Sequence, residues 1–323
     1  MVVASHALDA AAFPRLAKLG HPGVLIFFSL SGFLITFRLL EEYRSSGDIS
    51  LVNFYVRRFF RIIPPLIAYL SVVYLLTRIG LVVCNPKAIR AALLFYTNYS
   101  SFGDAGWRVA HFWSLSVEEH FYLVWPLLLL IFGIKRGSQT ALGLIICVIV
   151  WRVCDNHYNF IATIFHSRQL AANSYRTDLI ADALLWGCLL AFYKNPIRKF
   201  TIHPACGVLI TVSTLALLIA LSISHIQHIT VFLHLLPALL LASILFSEKN
   251  PANTLLQMSP LRFIGRLSYS VYIWQQLLLG GPGAKVNIYL SLFLIAAISF
   301  LSYTLIELPC MRYGKLLISR RQQ

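Results

Sequence analysis

The chain has 323 residues, 58% of them hydrophobic and only 12% charged, with a mean hydropathy of +0.73. Soluble domains carry about 25% charged residues, so a water-soluble globule is excluded: there is too little polar surface to cover so apolar a core. The net charge of +15, from 27 basic and 12 acidic residues, suits nucleic acid or an anionic membrane face, and its placement decides between them.

Apolar segments recur at about 24–40, 62–80, 112–133, 140–154, 178–193, 204–222, 229–247, 268–280 and 286–306. Most approach the roughly 20 residues that cross about 30 Å of hydrocarbon. They predict an all-α fold, a polytopic helix bundle in the lipid bilayer. The loops between them alternate sides. One set holds Arg44, Arg57, Arg58, Arg61, Lys135, Arg136, Lys194, Arg198, Lys199, Lys249, Arg262, Arg266, Arg312, Lys315, Arg320 and Arg321, 16 of the 27 basic residues. The positive-inside rule makes that side cytoplasmic, with the C-terminus inside. The basicity is then topology, and nucleic acid is not an expected partner.

At the N-terminus, Val2 to Leu8 is apolar, but it lacks a basic flank and is too short for a signal peptide. It reads as the last turns of an outward-running membrane helix that ends near Asp9 and begins upstream. Counting that incomplete span gives about ten crossings in a single membrane domain over 1–323. His6 lies on this segment, and a lone histidine near a helix end is more often structural than catalytic.

Next comes Gly23 to Thr36, whose Ser31-Gly32 pair falls mid-span. Small residues there either let helices approach closely or leave room for a ligand. Phe54 to Pro65 follows, with Arg57, Arg58 and Arg61 at the cytoplasmic mouth of the next span. Arg58 and Arg61 share a helix face and present two guanidinium forks suited to phosphate. A topogenic and lipid-headgroup cluster is the alternative. The outer segment 81–111 contains Ala91 to Phe95, too short to span and expected at the interface or re-entrant.

His111 to Pro126 places two adjacent carboxylates at the head of an apolar helix, which is costly unless they face a cavity or partners. Helical spacing puts His111, Ser114, Glu118, Tyr122 and Trp125 on one stripe and turns Glu119 elsewhere; Trp113 opens the same segment. The stripe lines either a functional cavity or an interhelical network. In Arg176 to Gly187, Asp178 and Asp182 stand one turn apart with Arg176 as a possible counter-ion, for a salt bridge or a substrate contact. Gly265 to Gln275 and Glu307, just before Pro309, read individually as helix packing and a structural ion pair. The six cysteines are scattered without a CxxC pair and read as small buried hydrophobes. The histidines show no metal-ligand spacing, so no metal is expected.

In this order, the SGFLIT, RRFFRIIP, WSLSVEEHFY, SYSVYIW and Glu307-Leu308-Pro309 segments resemble the landmarks of the acyltransferase-3 family of integral membrane acyltransferases, and the resemblance covers essentially the whole chain. That family opens with a helix carrying Arg or Lys and, about ten residues on, a histidine regarded as catalytic. The resemblance therefore implies a catalytic role for His6, and the basic partner would precede residue 1. Two positions depart from the family pattern. Ile180 stands where a basic residue often precedes Ala-Asp-Ala, with Arg176 as a possible substitute. Gln275 stands where a histidine often follows Tyr-x-Trp.

The resemblance also implies an activity: acyl transfer, commonly of acetyl, from acyl-CoA to a hydroxyl of a surface carbohydrate, in a bacterial inner membrane. Arg57, Arg58 and Arg61 would hold the donor's phosphates, and its thin arm would enter beside Ser31 and Gly32. His6 would act as general base or carry the acyl group, with Glu118 orienting it. His111, Trp113, Ser114, Tyr122, Asp178 and Asp182 would meet the acceptor. A transporter or flippase and a non-catalytic homologue are the rival readings. Only the enzyme releases free CoA in proportion to acylated glycan.

Overall fold

The computed structural model describes residues 2–7, 19–158, 160–166, 173–198, 203–223, 230–247, 251–279 and 287–321. The described chain is helical, without β-strands. Its main helices are α1 (Val2–Ala7), α2 (Gly20–Ser46), α3 (Leu51–Arg78), α4 (Pro86–Leu93), α5 (Phe112–Phe132), α6 (Gly137–Tyr158), α7 (Asp182–Arg198), α8 (Pro204–Ile223), α9 (Thr230–Phe246), α10 (Ser259–Leu278), α11 (Ile288–Ser302) and α12 (Leu308–Arg321). Among the described residues six helices are long and apolar enough to cross a membrane: Gly20–Ser46, Leu51–Arg78, Phe112–Phe132, Ile134–Tyr158, Ala205–Ile223 and Ile288–Arg321. Shorter apolar helices cover Asp182–Tyr193 and Leu233–Phe246.

Helix ends follow local chemistry. Gly47 closes α2 at φ +78°, a left-handed conformation that glycine adopts without a Cβ penalty, and its N–H returns to Tyr43 O at 2.9 Å. Ser50 caps α3 by accepting from Asn53 N at 3.3 Å, as short hydroxyl side chains do at N-caps. Asn85 caps α4 in the same way, with Pro86 following it. Helix α4 buries Ala88, Ala91 and Ala92 and turns Leu93 outward. Residues 91–93 thus end a short amphipathic helix packed on α3, and Leu94 and Phe95 form the turn after it.

Several boundaries differ from the sequence reading. Helix α3 starts at Leu51 rather than 62, so Arg57, Arg58 and Arg61 lie within a helix that runs on through Pro64 and Pro65. Proline removes a backbone donor but does not oblige a helix to end. Here Tyr269 donates to Ile62 O at 2.9 Å in the turn the prolines disturb. Helix α10 begins at Ser259, well before 268. Glu307 does not end the last span. A π-turn over Tyr303–Glu307 joins α11 to α12 and carries the helix past Pro309 to Arg321. The wider ring of a π-turn accommodates the N–H that proline lacks.

The chain divides into two compact units, Met1–Ile49 with Val117–Leu261, and Ser50–Ser116 with Arg262–Gln323. In the first, α2 is the central helix and α7 its principal partner. Leu25, Phe28, Ile35 and Leu39 of α2 and Ala183, Leu184 and Leu185 of α7 are buried. In the second, α3 packs on α12, where Gly314 admits the Phe60 ring and Tyr313 meets it edge-on at 5.4 Å.

Candidate active site

In the first unit the seam between α2 and α7 fixes where the polar residues fall. A Cβ on Gly32 would lie 2.0 Å from Leu184 O, and one on Gly187 would lie 1.9 Å from Ser29 O. The two glycines let the backbones touch, and Ser29 Oγ donates to Ala183 O at 3.1 Å across the contact. The space next to Gly32 is filled by α7 backbone, so this glycine serves close helix packing, with Ser31 buried beside it.

At the head of α7, Asp182 is fully buried. It accepts from Arg152 Nη2 of α6 at 2.5 Å and meets His234 Nδ1 of α9 at 2.7 Å. Arg152 Nε also donates to Leu179 O at 2.9 Å. Asp182 thus ties together three helices. Of the two aspartates for which Arg176 was the possible counter-ion, Asp178 takes it and Asp182 takes Arg152 instead. Arg176 Nη2 bonds Asp155 and Asp178, each at 2.7 Å, and Trp151 Nε1 donates to Asp178 Oδ2 at 2.7 Å. Burial works against the Arg176 charge, but the bonds to Asp178 and Asp155 outweigh it and hold the guanidinium above the ordinary arginine range. Asp178 therefore sits in an ion-pair network, with one third of its side chain still exposed.

Two histidines join this end of the unit. His21, at the start of α2, lies 6.3 Å ring to ring from Tyr175 and within electrostatic reach of His234. His120 Nδ1 meets Thr177 Oγ1 at 2.7 Å. Ser5 of α1 packs against Gly20, where a Cβ would stand 2.4 Å from its Oγ. That contact seats α1, the helix of His6, against the start of α2; the His6 side chain falls outside the described atoms. On α5, Glu118, Tyr122 and Trp125 are buried as the stripe required, while Glu119 is only half-buried. Trp125 donates to Thr36 Oγ1 at 2.9 Å.

In the second unit His111 occupies the turn before α5 rather than the helix itself. Its Nε2 lies 3.2 Å from Ile273 O, and its carbonyl accepts from the Tyr272 hydroxyl. Ser114 Oγ is 2.5 Å from the same hydroxyl. These two expected acceptor contacts thus hold α10, and Trp113 beside them is half-buried. Arg57 and Arg61 are exposed on α3, and Arg58 lies 5.8 Å over the Phe54 ring. Arg61 is within electrostatic reach of Glu307, which accepts from Ser270. Burial pushes the Cys84 thiol up to about 11, so it is protonated near neutrality and a poor nucleophile. No group of three or more potential metal ligands occurs among the described residues.

A family profile described as an acyltransferase domain, that of acyltransferase-3, matches residues 1–310. The chain belongs to the acyltransferase-3 family. It is 30% identical over 337 aligned positions to the peptidoglycan O-acetyltransferase of Listeria monocytogenes, covering 92% of this chain and 52% of that protein. A putative peptidoglycan O-acetyltransferase of Bacillus subtilis is 26% identical (94% and 52% covered), and a putative O-acetyltransferase of Staphylococcus aureus 27% identical (91% and 53% covered). The chain spans about half the length of these relatives. No solved structure matches it.

The family landmarks fall on the charged ends and polar seams of both units. Arg152 and His234 escaped the sequence reading. Arg152 lay within the 140–154 segment and His234 within the 229–247 run, and only the fold brings them to Asp182.

Proposed function

We propose that the protein is a membrane O-acyltransferase of a bacterial plasma membrane, moving an acetyl group from cytoplasmic acyl-CoA to a hydroxyl of a cell-surface carbohydrate. Peptidoglycan is the first acceptor to test, because the relatives carry that acceptor in their names. The observation that carries this reading is the family match across 1–310, which includes every landmark segment.

Arg57, Arg58 and Arg61 hold the donor's phosphates through charge-assisted bonds. His6 takes the proton of the acceptor hydroxyl, or carries the acyl group in transit, with Glu118 orienting it. In direct transfer the acyl carbon gains a bond to the acceptor oxygen and loses its bond to the donor sulfur. The hydroxyl proton passes to the imidazole, and the leaving thiolate takes that proton from the imidazolium to depart as CoA. Histidine's unperturbed pKa near 6.5 suits this exchange at neutral pH. The Arg152–Asp182–His234 network holds α6, α7 and α9 in register, and Asp178 and Tyr122 are the acceptor contacts.

Expression in a host lacking peptidoglycan O-acetylation, followed by assay of base-labile acetate on purified glycan, tests the reading. Acetate above the empty-vector level supports it. A chain present in the membrane with no added acetate on peptidoglycan or other surface glycans removes it.

A further inference from the structure

Among the described residues Gln275 is the one buried amide side chain with neither end bonded. It is 0% exposed, and both Nε2 and Oε1 lack a partner. Its neighbours on α10 are each held at one end or not at all: Gln276 Oε1 and Trp274 Nε1 also lack partners, but no other described amide side chain is free at both ends. Tyr272 bonds His111 and Ser114, Gln276 Nε2 donates to Trp107 O at 2.5 Å, and Arg108 donates to Leu277 O at 2.6 Å. A buried group without a hydrogen bond is a destabilising feature that needs an explanation. An apolar side chain of similar volume would fill the position at lower free energy.

The placement of Gln275 suggests what it bonds. Helices α3 and α10 meet at two points in the same chain order: Tyr269 reaches Ile62 O, and the Trp274 ring meets Tyr69 at 5.3 Å. Tyr69 is eight residues beyond Arg61, about 12 Å along the helix. Ser268, Tyr272 and Gln275 share one stripe of α10 (i, i+4, i+7). Exposure falls along it: Ser268 is exposed, Tyr272 half-buried and Gln275 closed. A molecule anchored by phosphate at Arg58 and Arg61 and reaching Gln275 must be long and thin. It must also offer an acceptor for Nε2–H and a donor for Oε1, which a secondary amide does.

We propose that Gln275 bonds a secondary amide in the pantetheine arm of the acyl donor. The proposal rests on the acyl-CoA reading above. The arm carries two such amides between the phosphates and the thioester. A glutamine also means that this position binds without exchanging protons.

The test compares kcat/KM for acetyl-CoA, S-acetyl-pantetheine and an S-acetyl alkylthiol without amides, in wild-type, Gln275→Leu and Gln275→Met membranes. Loss of amide recognition lowers the first two by roughly tenfold, the size of about one hydrogen-bonded pair, and leaves the alkylthiol unchanged. An equal change for all three donors, or none, overturns the proposal and leaves a buried water as the partner of Gln275. If one variant fails to accumulate, the other decides. Retention of labelled CoA by the solubilised protein is the second measurement, and weaker retention by the variants supports the proposal. Wild-type protein that neither transfers from any donor nor retains CoA overturns the donor reading and this proposal together.

Discussion

The polar end of the first unit and the polar stripe of α10 in the second satisfy their buried groups differently. Around Asp182 every charge has an opposite partner: Arg152 and His234 for Asp182, Asp155 and Asp178 for Arg176. Arg152 Nη1 and Asp182 Oδ2 remain unbonded, but each belongs to a side chain held at its other atoms. Gln275 is held at neither. A buried ion pair that loses one member leaves an uncompensated charge, whereas an unbonded amide loses nothing when replaced by a hydrocarbon of equal size. The first arrangement fixes helices in register. The second has spare bonding capacity for a ligand.

That contrast predicts unequal responses to substitution. The largest falls on the ion-pair network. Asp182→Ala leaves Arg152 buried without its carboxylate and is expected to cost about 3–5 kcal/mol, read as loss of folded protein or a lower Tm in detergent. If Asp182→Ala melts no earlier than Gln275→Leu, the contrast fails. Next comes the glycine seam. Gly187→Val drives a branched side chain into the α2 backbone and should cost about 1–3 kcal/mol or more, while Gly265→Val, with open space around its Cβ position, should be mild. In the second unit, Arg61→Ala should raise KM for acetyl-CoA about tenfold with little change for the acceptor. Equal effects on both substrates would count against a phosphate clamp. The smallest effect belongs to the exposed Arg38–Glu41 pair, 3.8 Å apart with 79% of the Arg38 side chain in contact with the surroundings. Arg38→Ala should shift stability by a few tenths of a kcal/mol at most.

How much of this was legible in the sequence differs between the two units. Apolar length announced the long helices, and helical spacing placed Glu118, Tyr122 and Trp125 on one buried stripe, because both signals are local. The partner of Asp182 was not legible: Arg152 is 30 residues away and His234 is 52, while Arg176 was near in sequence but drawn to Asp155 and Asp178. Proline misled at one helix end: Glu307 was read as ending the last span before Pro309, but the helix runs on through a π-turn. The Gly32 signal was present but ambiguous. Its complement, Gly187, stood in the sequence, and only the meeting of their helices shows that the space is taken.

The most direct measurement gives radiolabelled acetyl-CoA to membranes holding the chain and counts label in glycan against free CoA released, beside Glu118→Gln membranes with matched protein levels. Enzymatic transfer predicts one glycan acetyl for each CoA released, and a fall of about 100-fold or more in the variant, the lower range for loss of positioned acid–base assistance. CoA release without glycan label, or wild-type and variant membranes labelling glycan equally, would contradict it.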